Sequence, residues 1–279
     1  MSILSNTVRS QTYTQRKDNK MRNALFMVGE QRYGSNLLRV MLGQADEIAA
    51  PHPPHILERM MPLLPIYGDL DREDSLITLV DDVCRLVERN PVAWDNIARF
   101  DRDEVVSRCR DHSLIAFFGA VMDLYAEANG KDKWLCKSMT YIKYAKELDA
   151  YFGDPKYIYL YRDGRDVTLS FTKAVTGDKP CCIIAQKWAE LQRLCLSEQA
   201  HSPQQVYGIC YEELTAEPEP ILRDLCEFLG IQFKSEMLDG HLSSEAQRTA
   251  SSSSLWSYGR ICQSRLCSEV TGYWQPHAR

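Results

Sequence analysis

The segment Gly29-Glu30-Gln31-Arg32-Tyr33-Gly34-Ser35-Asn36 sets two glycines around a short polar loop that holds one cation. An apolar run, Asn23 to Val28, precedes it, and Leu38, Met41 and Leu42 follow at helical spacing. A turn that feeds a strand into a helix presents unpaired backbone N–H groups and the positive end of the helix dipole, which together suit an anion. The glycine spacing matches GxxxxGK[ST], but Ser35 stands at the lysine position and Asn36 at the Ser/Thr position. Magnesium-assisted transfer of a γ-phosphoryl group uses both of the missing side chains, so an ATP-dependent phosphotransferase is disfavoured. Arg32 suits a compact anion that needs no metal. Taken alone, the segment also fits a tight strand-to-helix turn that binds nothing.

A second junction of the same kind is Tyr161-Arg162-Asp163-Gly164-Arg165-Asp166-Val167-Thr168-Leu169-Ser170. Arg162 falls at the C-terminal end of the strand, where ligands of open α/β sheets bind. Ser170 falls nearly two turns into the next helix and can face back to that edge. A guanidinium and a hydroxyl so placed make a phosphate clamp, because the guanidinium offers paired donors to phosphate oxygens. Asp163 and Asp166 can instead hold Arg162 and Arg165 in structural salt bridges, and both readings stay open.

The elements that must position these residues alternate strand and helix. Strands are expected at Asn23 to Val28, Trp134 to Cys136, Tyr157 to Tyr161 and Val206 to Tyr211. Helices are expected from Ser35, over Ser75 to Arg89, Ser113 to Asn129, Ile142 to Phe152, through Ile184, Trp188, Leu191 and Cys195, and over Pro218 to Leu229 with Gly230 as the stop. That order predicts a three-layer α/β fold around a central, mainly parallel sheet. Phe117, Phe118 and Trp188 read as core.

The chain has 279 residues, 44% hydrophobic and 25% charged, which suits one large globular domain. Residues 23–279 are expected to form it, behind a flexible tail of residues 1–22. A net charge of −5 argues against broad nucleic-acid binding. No apolar run reaches the roughly eighteen residues of a membrane span, and Met1 to Lys20 lack the apolar core of a secretory signal. A cytoplasmic location follows, in which the ten cysteines stay reduced. Cys84, Cys195 and Cys226 sit in apolar helical patterns as small hydrophobes. No cysteine or histidine spacing suits zinc, so no metal is expected.

Taken together, the two junctions resemble the sulfotransferase family. Arg32-Tyr33-Gly34-Ser35-Asn36-Leu37-Leu38 is similar to its 5′-phosphosulfate loop, R/K-S-G-T-T-x-L, and Arg162 through Ser170 to its 3′-phosphate motif, RDPRDxxxS. Tyr211-Glu212-Glu213-Leu214 resembles a Y-E-D/E-L segment, and Gly259-Arg260 the Gly-Arg that closes over the nucleotide. The likeness runs from about Asn23 to Tyr273. It implies a P-loop-like nucleotide-binding fold and transfer of a sulfuryl group from 3′-phosphoadenosine 5′-phosphosulfate (PAPS) to a hydroxyl of a small-molecule, lipid or glycan acceptor. It implies that the amides of Gly34, Ser35 and Asn36 hold the phosphosulfate beside Tyr33 and Leu37, with Arg32 at the bridging oxygen. Arg162, Ser170 and Arg260 would grip the 3′-phosphate, and Tyr211 would lie near the adenine. Lys137, after the Trp134 to Cys136 strand, would be a further cation at the sulfuryl group. Gly164 replaces a proline and should loosen its turn.

Many relatives carry a catalytic histidine two residues after that lysine, where this chain has Met139. Others use a glutamate in the loop after the first helix, where this chain has Pro51-His52-Pro53-Pro54-His55. A neutral histidine is a suitable base near pH 7. His52 is preferred over His55, with Glu58 third, and the histidines could instead line the acceptor mouth. The acceptor should enter through Pro51 to about Asp111 and the Trp256-Ser257-Tyr258 region. A non-catalytic nucleotide-binding module remains the other class, and a homodimer stays open.

Overall fold

The computed structural model describes residues 23–174, 177–244 and 246–247. The N-terminal tail, Trp256, Tyr258, Gly259 and Arg260 lie outside the described residues. The chain runs β1 (Asn23–Gly29), α1 (Ser35–Leu42), β2 (Ile48–Ala49), α2 (Ile56–Met60), α3 (Leu64–Tyr67), α4 (Glu73–Glu88), α5 (Arg102–Arg108) and α6 (Leu114–Ala128). It continues β3 (Lys133–Lys137), α7 (Ala145–Phe152), β4 (Lys156–Tyr161), α8 (Gly164–Lys173), α9 (Cys181–His201), β5 (Val206–Cys210), α10 (Tyr211–Ala216) and α11 (Pro218–Leu229).

The five strands form one sheet in the order β2-β3-β1-β4-β5, with every pair parallel. A parallel sheet is covered on both faces, so its strands read as continuous apolar runs rather than as alternating ones. Asn23–Gly29 shows the consequence: six of its seven residues are buried. Phe26 and Val28 face a core with α4, α6, α7 and α9, while Leu25 and Met27 face a second core with α1, α8 and α11. Phe26 anchors the first core, its ring 5.4 Å from that of Trp134 and 5.6 Å from that of Tyr157. Phe117 and Phe118 are fully buried in it. Cys84, Cys195 and Cys226 are buried free thiols.

Two local expectations shift, and two short elements were not foreseen. Tyr211 opens α10 instead of ending β5. Ile142 to Phe152 splits into a 3₁₀ stretch, Met139–Tyr144, and α7, because the chain must turn sharply as it leaves β3. The two-residue β2 and the short α5 give no periodic signal long enough to read. No helix among the described residues is long and apolar enough to cross a membrane.

Candidate functional site

Because β1 pairs with β3 on one side and β4 on the other, the loop after β1 meets residues from both neighbours. Three backbone positions in that loop are left-handed or have positive φ: Gly29 (138°), Arg32 (73°) and Gly34 (83°). Gly34 is the N-cap of α1. Such a run of turned peptides points N–H groups into one concavity, the backbone form of an anion nest. Gly34 has a second reason to be glycine: a Cβ there would lie 2.1 Å from the Tyr211 ring. Gly34→Ala therefore forces Tyr211 away and strains φ at once. It should lower both the melting temperature and the affinity for adenosine 3′,5′-bisphosphate, read together in a thermal-shift titration.

The two predicted anion segments meet. Arg32 Nε donates to Ser170 Oγ at 2.9 Å, although the residues stand 138 positions apart. Arg162 Nη1 donates to the Arg32 carbonyl at 3.2 Å. The Arg162 guanidinium lies 4.5 Å above the Tyr211 ring, a cation–π stack, and 3.6 Å from Asp166. Its Nε is buried without a hydrogen-bond partner. A buried donor left open beside a serine hydroxyl and a backbone nest fits an incoming phosphate.

Arg165 pairs with Asp163 instead, in a solvent-exposed contact. Asp163 also caps α8 through the Arg165 amide, and its own amide donates to Glu212 at 3.1 Å. The segment Tyr211-Glu212 is thereby tied to the Arg162 turn. Gly164 packs against Trp188, where a Cβ would lie 3.0 Å from the indole. The Trp188 indole also donates to the Arg162 carbonyl at 3.2 Å. The glycine thus admits a ring that packs against the turn whose loosening was expected.

Lys137, the last residue of β3, donates to Asn36 Oδ1 at 2.9 Å. Burial, with help from the Arg39 charge, pushes its ammonium down to about 7. Arg39 is fully buried in α1 and donates to the Ala50 carbonyl at 2.7 Å. Sequence reading passed over Arg39, although one arginine within Leu37–Leu42 is a signal in itself. Tyr33 is turned wholly into the core, its hydroxyl 3.3 Å from Gln192, so only its backbone is available to the loop. Ser35 and Leu37 are buried.

The two histidines differ in setting. His52 has its Nδ1 buried without a partner, and its carbonyl accepts from Trp94 at 2.9 Å. Burial first, then the charges of Arg39 and Lys137, pushes it down to about 3. A ring so depressed stays neutral but holds a proton weakly. His55 Nδ1 sits 2.9 Å from Glu58 Oε2, and this contact holds the Glu58 carboxyl below its usual range. His55 also adopts a left-handed φ of 55°, the uncommon backbone that clusters at functional sites.

Glu58 lines a cavity of about 450 Å³ with Glu30, Thr140, Phe171 and Ile184. From the stretch expected to admit the acceptor, Pro51 to Asp111, it is the single lining residue among those described. Met60 is buried in the core, and Met61, Leu64 and Tyr67 pack against it. A separate cavity of about 850 Å³ reaches Arg162 and Tyr211 along α9.

A family model described as sulfotransferase family matches residues 24–235. The chain is similar to the solved sulfotransferase domain from the olefin synthase of Synechococcus PCC 7002, at 21% identity and a TM-score of 0.61, over 95% of this chain and 93% of that one. It is also similar to the sulfotransferase domain from the curacin biosynthetic pathway, at 22% identity and a TM-score of 0.56, over 80% and 79%. These two likenesses show a shared fold. No curated protein matches the sequence. The chain belongs to the sulfotransferase family.

Proposed function

We propose that this sulfotransferase-family chain moves a sulfuryl group from PAPS to an acceptor hydroxyl. One observation carries the reading most strongly: Arg32, Ser170 and Arg162 form one connected cluster at adjacent strand ends. A donor phosphorylated at both its 5′ and 3′ ends requires two anion sites; the backbone turn at Gly34 is the group proposed for the first, and Arg162 with Ser170, which Arg32 joins, for the second.

In the reaction the acceptor oxygen attacks sulfur and forms the new S–O bond. The bond from sulfur to the bridging oxygen breaks, and adenosine 3′,5′-bisphosphate leaves with that electron pair. In this reading Lys137 and Arg32 would meet the charge that develops on the sulfuryl and bridging oxygens, the kind of prearranged cation that lowers such a barrier. The acceptor proton needs a base. His55 is the better proposal for it than His52, because a carboxylate orients its ring while His52 binds a proton weakly.

His55→Ala should lower kcat by roughly a hundredfold, with His52→Ala much milder and binding of adenosine 3′,5′-bisphosphate retained in both. Single-turnover rates and calorimetry separate the two effects, and near-normal turnover in both variants would show that neither ring is the base. The whole reading is tested with PAPS carrying labelled sulfate and an acceptor-rich extract. Labelled product supports transfer. Binding alone would make the chain a nucleotide-binding module, and magnesium-dependent ATP consumption would make it a phosphotransferase.

A further inference from the structure

The cavity of about 450 Å³ has a mixed lining. Phe171, Ile184 and Leu191 are its apolar part, which suits the carbon skeleton of a small molecule. Other lining residues carry charge, and their ion pairs leave a remainder of one sign. Lys143 is matched by Glu190 at 2.7 Å, and Lys187 by Asp178 at 2.6 Å. Both cations of the lining are thereby neutralised at its rim. Glu58 is occupied by His55.

Glu30 is left over. Its residue is 7% exposed, and one carboxylate oxygen accepts the Gln31 amide at 2.7 Å. No ion pair holds it among the described residues. Burial pushes its carboxyl up from the ordinary value, against the opposing pull of the Gln31 amide and of the Lys187 charge, which makes no ion pair with it. In the lining of the same cavity, the Thr140 hydroxyl is buried without a hydrogen-bond partner. A buried carboxylate and an open hydroxyl in one cavity can together hold a polar group. Glu58 links that subsite to the reacting end, being close enough to Glu30 and Lys137 to shift the proton affinity of both.

We infer that this cavity binds the body of the acceptor, and that the acceptor is a small hydroxyl compound carrying a cationic amine. The amine pairs with Glu30 beside the Thr140 hydroxyl, the skeleton lies on Phe171 and Ile184, and the hydroxyl points toward Glu58, His55 and Lys137. An acceptor bearing a carboxylate or phosphate at the same place meets Glu30 as a like charge and is rejected. The hydroxyl's orientation rests on the sulfuryl-transfer reading; the cation subsite stands on the cavity alone.

The test uses the full chain saturated with adenosine 3′,5′-bisphosphate and three phenols of one size: tyramine, tyrosol and para-hydroxyphenylacetate. Near neutral pH these present an ammonium, a hydroxyl and a carboxylate in turn. Calorimetry should show tyramine binding about tenfold tighter than tyrosol, the worth of one charge-assisted hydrogen bond, with the carboxylate weakest. Glu30→Gln keeps an oxygen for the Gln31 amide and should bring the tyramine preference close to one. Equal or reversed order in the native protein, or no binding by any of the three, overturns the inference whatever the variant does. Transfer of labelled sulfate to the same phenols is followed in parallel. An intact amine preference without product refutes the transfer and leaves the subsite standing, whereas product without preference refutes the subsite alone.

Discussion

Replacing Arg162 with alanine is expected to weaken adenosine 3′,5′-bisphosphate by roughly two to three orders of magnitude and to leave adenosine 5′-phosphate almost unaffected. The guanidinium is held before any ligand arrives, by the Arg32 carbonyl, the Tyr211 ring and Asp166. Little ordering is left to be done on binding, and its buried Nε still lacks an acceptor. A 3′-phosphate supplies one and displaces no internal partner of that atom. Removal of the arginine takes away the cation already held in place and leaves the phosphate desolvated beside the Ser170 hydroxyl, which is the costly outcome. Arg162→Lys should recover only a small part, because an ammonium cannot both stack on Tyr211 and present a planar fork. Calorimetry with the two nucleotides decides the matter. A loss of the same size for both would mean that Arg162 supports the fold of the loop and does not read the 3′ position.

Lys137→Met is expected to lower kcat by roughly a thousandfold, the upper range for losing one prearranged charge at a transition state, with a much smaller change in bisphosphate affinity. Methionine keeps the apolar stem and removes the bond to Asn36. The pH behaviour supplies a second readout. With its ammonium held down to about 7, Lys137 is partly neutral in the free protein, while the unfolded chain keeps it charged to about 10.4. The unfolded state therefore binds more protons between those values, and stability rises with pH across that window. Below about 7 the full cost of burying the charge is present. Lys137→Met should flatten the rise, as seen in urea unfolding at a series of pH values. An anionic sulfuryl donor favours the charged lysine, so its binding near pH 8 should take up protons in the native protein and not in the variant. Unchanged proton uptake in Lys137→Met would remove this lysine from the proposed site.

The settings of Lys137 and the histidines mark how far local sequence reaches. The turn at Gly34 is legible because it depends on a few consecutive residues: a strand, a positive φ and a helix start. The start and stop of Pro218–Leu229 are legible for the same reason, prolines at one end and a left-handed Gly230 at the other. Arg39, by contrast, is placed in the core by packing on a helix too short to declare its inner face. Gly164 looked like a looser turn because the indole that fills its missing side chain comes from α9, far along the chain. The choice between His52 and His55 turned on burial and on a carboxylate one helical turn away, and a histidine's surroundings are not written in its neighbours.

By itself the sequence determined the alternation of strands and helices, the two strand-to-helix turns proposed to bind anions and the absence of the side chains that a magnesium-dependent kinase needs, all set by interactions a few residues long. Only the tertiary structure decided that β1 lies between β3 and β4, and with that order that Arg32 meets Ser170, Lys137 meets Asn36 and Glu30 is buried in a cavity with no ion pair among the described residues. The reason is physical: strand order is chosen by how whole faces bury against one another, and proton affinity by the desolvation that results, so neither is fixed until the layers close.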